Sequence, residues 1–147
     1  MDVSERSSIT PEILAGSPPA LAVYHRRVAA RRLLPFVFYG TFMRGQPGHA
    51  HLSGARFVDA VRTAPRYRLY DVGGLPALVE AEQGVAIACE LYEVSEEHAV
   101  RLAGLEPPGW ERRPIELSDG RAAEAFLGPA QGVDVSSHGG WAAYRGT

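Results

Sequence analysis

The sequence predicts an α+β fold with a mostly β core in one domain, and three observations predict it. From Phe36 onward, short apolar or alternating segments are separated by turns rich in glycine and proline, a pattern typical of strands. One segment, residues 95–106, has helical periodicity, with Ser95 as N-cap and acidic residues in its first turn. A length of 147 residues allows one domain with a sizeable core.

The predicted elements follow in order along the chain. Residues 1–34 form an N-terminal extension, whose Ala- and Arg-rich part from residue 20 predicts an amphipathic helix, and residues 35–147 form the domain itself. Its strands are predicted in FVFYG, ARFVDAVRTA, RYRLYDV, ALVEA and VAIACELYEV. The helix over 95–106 follows and is expected to end before Pro107. RRPIEL and RAAEAFLG then form a hairpin around a turn at SDG.

Composition excludes several classes of function. The net charge of −2 gives no reason to expect a nucleic-acid partner, and no apolar segment approaches the length of a membrane span. All fifteen basic residues are arginine, which excludes lysine Schiff-base chemistry and a phosphate loop of the Gly-Lys type. The single cysteine, Cys89, excludes an internal disulfide. The polar N-terminus is unlike a secretory signal, so we expect a cytoplasmic protein.

The segment FVFYGTF has a glycine and a hydroxyl directly after an apolar run that predicts a buried strand. Glycine permits close backbone approach, and successive N–H groups at Tyr39, Gly40, Thr41 and Phe42 could form an anion cradle. A tight turn after a core strand explains the same residues without any ligand.

Glu106 is the second candidate, at the predicted end of the helix and before Pro107. A carboxylate there faces the negative end of the helix dipole, which raises its pKa, and partial burial raises that pKa further. A raised pKa suits a group that takes a proton from an ammonium and returns it to a leaving amine. The alternative is a solvated glutamate at a helix end.

Four segments in this order resemble the γ-glutamylcyclotransferase-like (AIG2-like) superfamily: VFYGTFMRG, AVRTAPRYRLYDVGGLPALV, CELYEV and RLAGLEPPGWERRPIEL. The resemblance covers residues 36–127, with a further piece at 141–145, and leaves residues 1–34 outside. It implies a small mixed β-barrel with flanking helices. It also implies a cofactor-free enzyme that cleaves a γ-glutamyl amide of a small amine or amino acid to 5-oxoproline and the free amine.

The same resemblance assigns residues to roles. It implies Glu106 as the catalytic residue and the backbone of residues 39–42 as the site for the α-carboxylate of the substrate. Tyr70 and Gly74 are implied to flank the pocket and to contact the glutamyl group. Glu90 is either a structural hydrogen-bond partner or part of the site.

The chain departs from the superfamily's pattern near these positions. Ala103 stands where Asp is usual, Pro107 where Gly is usual, Phe42 where Leu is usual and Leu75 where Tyr is common. These departures predict a specialised substrate pocket.

Aromatic and histidine side chains supply weaker signals. Trp141 and Tyr144 are expected to close one end of the barrel or to line the pocket. His49 and His51 lie two apart in a Gly-rich loop, but no third metal ligand is evident, so no metal site is predicted.

Three hypotheses for the function stay open. The first is a γ-glutamyl amide cyclotransferase, a class in which some members remove a γ-glutamyl protecting group in a biosynthetic pathway. The second is an inactive or reassigned relative that binds a small carboxylate. The third is an amide hydrolase or acyltransferase on the same scaffold. The expected partner is a small-molecule γ-glutamyl substrate, without nucleic acid or membrane, and the expected state is a monomer or homodimer.

Overall fold

Two β-sheets and two short helices make up the part of the chain that the computed structural model describes, residues 32–146. The first five strands are β1 (Leu33–Phe38), β2 (Arg56–Arg62), β3 (Tyr67–Val72), β4 (Leu75–Glu80) and β5 (Ala88–Ser95). Helix α1 (Glu96–Ala103) follows, and then β6 (Glu111–Glu116), β7 (Ala122–Leu127), β8 (Val133–Asp134) and helix α2 (Trp141–Arg145). Short 3₁₀ segments lie at His49–Leu52 and Ser136–His138.

One mixed sheet and one antiparallel sheet, with few helices, confirm the predicted α+β class. The five-stranded sheet has the order β2-β5-β1-β7-β6, in which β1 and β7 run parallel and the other neighbours run antiparallel. The three-stranded sheet has the order β4-β3-β8 and is antiparallel. No strand ladder joins the two sheets among residues 32–146. In this part of the chain the two edges of the larger sheet meet at a single bridge, between Thr63 after β2 and Leu117 after β6, so the barrel implied by the resemblance is not closed by a ladder.

Strand β1 lies at the centre of the larger sheet, and the predicted buried strand is confirmed there. Phe36, Val37 and Phe38 are all buried, as expected for a strand covered on both faces. The Phe36 ring packs 5.1 Å from that of Phe126, centroid to centroid, and 5.3 Å from that of Phe38. The loop that follows β1 therefore starts from a rigid point in the core.

The predicted helix exists but is shorter than residues 95–106. Ser95 caps it by accepting a hydrogen bond from the His98 N–H at 3.0 Å, as the sequence predicted. The helix ends at Ala103 with Gly104 as its C-cap, because glycine is a poor helix former and a common terminator. Glu106 therefore lies beyond the helix, in the following turn.

Strand β1 starts earlier than predicted, and several short elements were not predicted. Strand β1 begins at Leu33, within the predicted extension 1–34. Residues 1–31, with most of the amphipathic helix predicted from residue 20, lie outside the described residues. Strand β8, both 3₁₀ segments and α2 were not predicted, because elements of two to five residues carry little periodicity. Neither helix within residues 32–146 has the length and apolar composition of a membrane-spanning segment.

Candidate active site

A cavity of about 390 Å³ opens beside the C-terminal end of β1. Its wall comes from the loop after β1, the start of β4, the turn after α1 and the end of β7. Because β1 and β7 run parallel, their C-terminal ends lie at the same edge of the sheet. The volume is within the range of about 300–1,000 Å³ that small-molecule sites occupy.

The loop after β1 needs glycine at one position in this wall. Gly40 is buried, and a Cβ there would lie 2.2 Å from Cγ of Pro76 at the start of β4. The loop's carbonyls are already engaged, since Met43 donates to the Gly40 oxygen at 3.1 Å and Gly48 to the Thr41 oxygen at 2.8 Å. Within residues 32–146, no acceptor pairs with the N–H groups of Gly40, Thr41 and Phe42. They remain available to an anion in the cavity.

Glu106 lines the same cavity as this loop. The residue is half-buried, and its carboxyl has no hydrogen bond or ion pair with the part of the chain that the structure describes. Burial raises the pKa of Glu106 to about 7. Glu106 lies three residues beyond the end of the helix, and burial is the cause of the shift that the structure supplies. The carboxyl thus titrates near neutrality, where it can both accept and return a proton.

Two aromatic side chains tie the walls of the cavity together. The Tyr39 hydroxyl donates to the Phe126 carbonyl at 2.5 Å, and Trp110 Nε1 donates to the Pro76 carbonyl at 3.0 Å. Burial and the nearby Glu106 carboxylate raise the pKa of Tyr39, so its phenol stays neutral. These bonds link β1 to β7, and the turn after α1 to the start of β4.

Helix α1, which carries the turn with Glu106, is held at both of its sides. Arg112 on β6 contacts Glu96 at 2.7 Å and Glu124 at 3.1 Å. The buried His98 has Nε2 2.8 Å from the His51 carbonyl oxygen, which ties the helix to the 3₁₀ segment in the cavity wall. The position of Glu106 therefore follows from packing around α1.

The other residues expected near the pocket do not line this cavity. Tyr70 and Gly74 do not line the cavity; the Gly74 N–H donates instead to Asp71 Oδ1 at 2.6 Å within the β3–β4 turn. Trp141 is buried in the core, and Tyr144 donates its hydroxyl to Asp71. Neither aromatic residue lines the cavity.

Several lining residues had no role in the sequence-based site. Pro76, His51 and Trp110 belong to the wall, together with Leu75, a position where tyrosine is common in the superfamily's pattern. The contact of Pro76 with Gly40 joins segments 36 residues apart, so no local pattern could have indicated it. His51 was weighed only as a metal ligand.

The two histidines of the Gly-rich loop take separate positions. His49 Nδ1 lies 3.0 Å from the Phe42 carbonyl oxygen, so this nitrogen carries a proton and donates to it. In the described residues, no group of three or more His, Cys, Asp and Glu side chains is placed to hold a metal ion.

A larger depression of about 740 Å³ lies elsewhere, between the end of β4 and strand β6. Its charged side chains face open solvent, and Arg66 and Glu116 pair there at 3.4 Å. It lacks the desolvated carboxyl that distinguishes the smaller cavity, which is therefore the better candidate.

Comparison with known proteins assigns the fold to a family. The family described as "Allophanate hydrolase C-terminal domain" matches residues 34–146. A protein of Vibrio cholerae, provisionally named a gamma-glutamylcyclotransferase, is 37% identical over 86 residues, which are 57% of this chain and 73% of the relative. One of Methanocaldococcus jannaschii, provisionally given the same name, is 32% identical over 100 residues, 64% of this chain and 82% of the relative.

Two solved structures share the fold of this chain. A uropathogenic E. coli-specific protein superposes with a TM-score of 0.73 at 24% identity, over 78% of this chain and 96% of its own, a likeness of fold. A mouse AIG2-like protein superposes with a TM-score of 0.56 at 25% identity, over 68% of this chain and 79% of its own. The chain therefore belongs to the allophanate hydrolase C-terminal domain family, within the γ-glutamylcyclotransferase-like (AIG2-like) superfamily.

Proposed function

We propose that this protein is a cofactor-free cyclotransferase that cleaves a γ-glutamyl amide of a small amine or amino acid. The observation that carries the proposal is the position of Glu106. A half-buried carboxyl with a pKa raised to about 7 lies in the same cavity as a loop with free backbone N–H groups, and neither has a hydrogen-bond partner among residues 32–146. The provisional names of the two curated relatives support the same activity.

The substrate has three groups that the cavity must handle. Its α-carboxylate binds to the N–H groups of Gly40, Thr41 and Phe42, since no arginine among residues 32–146 lines the cavity. Its α-ammonium lies against the Glu106 carboxylate. Its γ-carbonyl lies within reach of the α-nitrogen, so that a five-membered ring can close.

Glu106 then acts as base and acid in turn. The carboxylate removes a proton from the α-ammonium, and the amine attacks the γ-carbonyl carbon. The protonated Glu106 gives its proton to the amide nitrogen, the amide C–N bond breaks, and 5-oxoproline forms. The ring nitrogen loses a second proton, which the free amine takes up, so Glu106 ends ionised as it began.

The test compares release of 5-oxoproline and free amine from a panel of γ-glutamyl amides by three proteins. Glu106→Gln keeps the shape of the side chain and removes the base, so turnover should fall by at least about a hundredfold. Glu97→Gln is the matched control, because Glu97 lies on the exposed face of α1, outside the cavity, and pairs with Arg101 at 3.8 Å. Equal rates for wild type and Glu106→Gln would contradict the proposal.

A second candidate is hydrolysis of an amide in a small carboxylate, which the description of the matched family favours. Glu106 would then activate a water molecule, and no ring would form. Allophanate is the substrate to assay beside the γ-glutamyl amides. Release of ammonia from allophanate, or of glutamate without 5-oxoproline from a γ-glutamyl amide, would select hydrolysis.

A further inference from the structure

We propose that Glu90 is a positioning residue that holds the loop after β1 in the conformation needed to bind the substrate's α-carboxylate. The proposal rests on the cyclotransferase function and adds a residue outside the cavity to it. Glu90 lies on β5 and does not line the cavity, so its effect on substrate would pass through the loop.

Glu90 has three donors on its two carboxylate oxygens. Its Oε1 accepts from the Arg44 backbone N–H at 3.0 Å and from the Tyr92 hydroxyl at 2.9 Å. Its Oε2 accepts from Arg44 Nε at 3.0 Å. The Glu90 side chain is only 12% exposed, and the Arg44 guanidinium also lies 4.0 Å from the centroid of the Phe57 ring. Arg44 is thereby held by its backbone and by its side chain.

Arg44, which Glu90 holds, lies in the loop that leaves the end of β1 and lines the cavity with its first residues. Glu90 is directly opposite Phe38 in the β1–β5 pairing, so it sits beside the strand end from which the loop leaves. The loop is braced internally, since Gln46 donates to the Met43 oxygen at 3.1 Å and Gly48 to the Thr41 oxygen at 2.8 Å. Fixing Arg44 therefore fixes a braced segment whose first residues line the cavity.

A second ion pair on β5, formed by Glu93, differs from the contacts of Glu90 because it does not hold the main chain of a loop. Glu93 pairs with Arg56 at 2.8 Å through the two side chains, and Glu93 is more exposed than Glu90. Glu90 holds a main-chain N–H of a loop, which side-chain pairing alone does not do. Glu93→Gln is therefore the matched control for changes at Glu90.

The first measurement is amide hydrogen exchange in wild type, Glu90→Gln, Glu90→Ala and Glu93→Gln. Exchange at Met43, Arg44 and Gly48 should become at least about tenfold faster in Glu90→Ala, while β1 and β5 stay protected. Glu90→Gln retains one acceptor oxygen and should show a smaller effect. It also keeps the proposal testable if the alanine variant does not fold.

The second measurement is steady-state kinetics with a γ-glutamyl amide that wild type turns over. KM should rise by about 10- to 100-fold in Glu90→Ala, since displacement of binding groups by about 1 Å costs that much. The pH at which kcat is half-maximal should not change, because Glu106 is untouched. Arg44→Ala should have a smaller effect on KM, since its backbone N–H still reaches Glu90.

The outcomes separate this proposal from the proposed function. If wild type releases 5-oxoproline and Glu90→Ala has an unchanged KM or unchanged loop exchange, the positioning role is wrong and the function stands. If wild type releases no 5-oxoproline, the function fails and the positioning role fails with it. Equal rises in KM for Glu93→Gln and Glu90→Gln would also overturn it, because the effect would then follow any lost ion pair.

Discussion

Two glutamates, Glu90 on β5 and Glu106 in the turn after α1, are both partly buried, and they differ in their partners. Glu90 accepts three hydrogen bonds, from Arg44 twice and from Tyr92. Glu106 accepts none from residues 32–146, and burial raises its pKa to about 7. Burial alone therefore does not give a carboxyl its role. Donors make a buried carboxylate a structural anchor, and their absence leaves it able to exchange a proton.

The largest effect expected from the half-buried carboxyl of Glu106 is a pH dependence of kcat/KM for 5-oxoproline release. The base must be ionised, so kcat/KM should fall by about a hundredfold between pH 8 and pH 5 if the pKa of Glu106 is about 7. A pH–rate profile for 5-oxoproline release measures this directly. A midpoint near the ordinary glutamate value of about 4.3 would show that Glu106 does not carry the rate-limiting proton transfer.

Loss of the Glu90 side chain should lower the free energy of unfolding. Glu90→Ala leaves the hydroxyl of the buried Tyr92 without its acceptor, which should cost about 1–3 kcal/mol of unfolding free energy. Urea unfolding at pH 7 measures the loss, with Glu82→Ala, an exposed turn residue, as control. A loss no larger than that of the control would remove Glu90 as an anchor.

The smallest effect is a gain of stability on removing the other carboxyl. The folded-state pKa of Glu106 lies above its unfolded value of 4.5, so its contribution is fully present below pH 4.5 and is lost as pH rises through about 7. Glu106→Gln should therefore unfold at higher denaturant concentration than wild type above pH 7. The gain should be on the order of 1 kcal/mol, since solvent reaches part of the carboxyl. No difference at pH 8 would mean that the carboxyl is better solvated or paired than the structure indicates.

The sequence by itself determined strands β1 to β7 and the start of α1, because their signals come from residues close together in the chain. Alternation or apolar runs predicted β1 to β5 and the β6–β7 hairpin, because strand pairing and burial impose a period of two or a continuous apolar run. Ser95 and the two glutamates after it predicted the start of α1, because capping uses side chains adjacent in sequence. The end of that helix was predicted three residues late, since Gly104 terminated it before Pro107 could.

Tertiary structure decided the candidate site. The raised pKa of Glu106 comes from burial, and the cavity that buries it is lined by segments distant in sequence. Gly40 is required because Pro76 packs against it. Tyr70 and Gly74 do not line the cavity, although Gly74 directly precedes the lining residue Leu75 in the chain. Amino-acid sequence by itself determined which groups could act and which strands would form. Only the packing of the sheets and α1 determined which groups meet and which stay unpaired, because desolvation and long-range hydrogen bonds depend on contacts that no local pattern records.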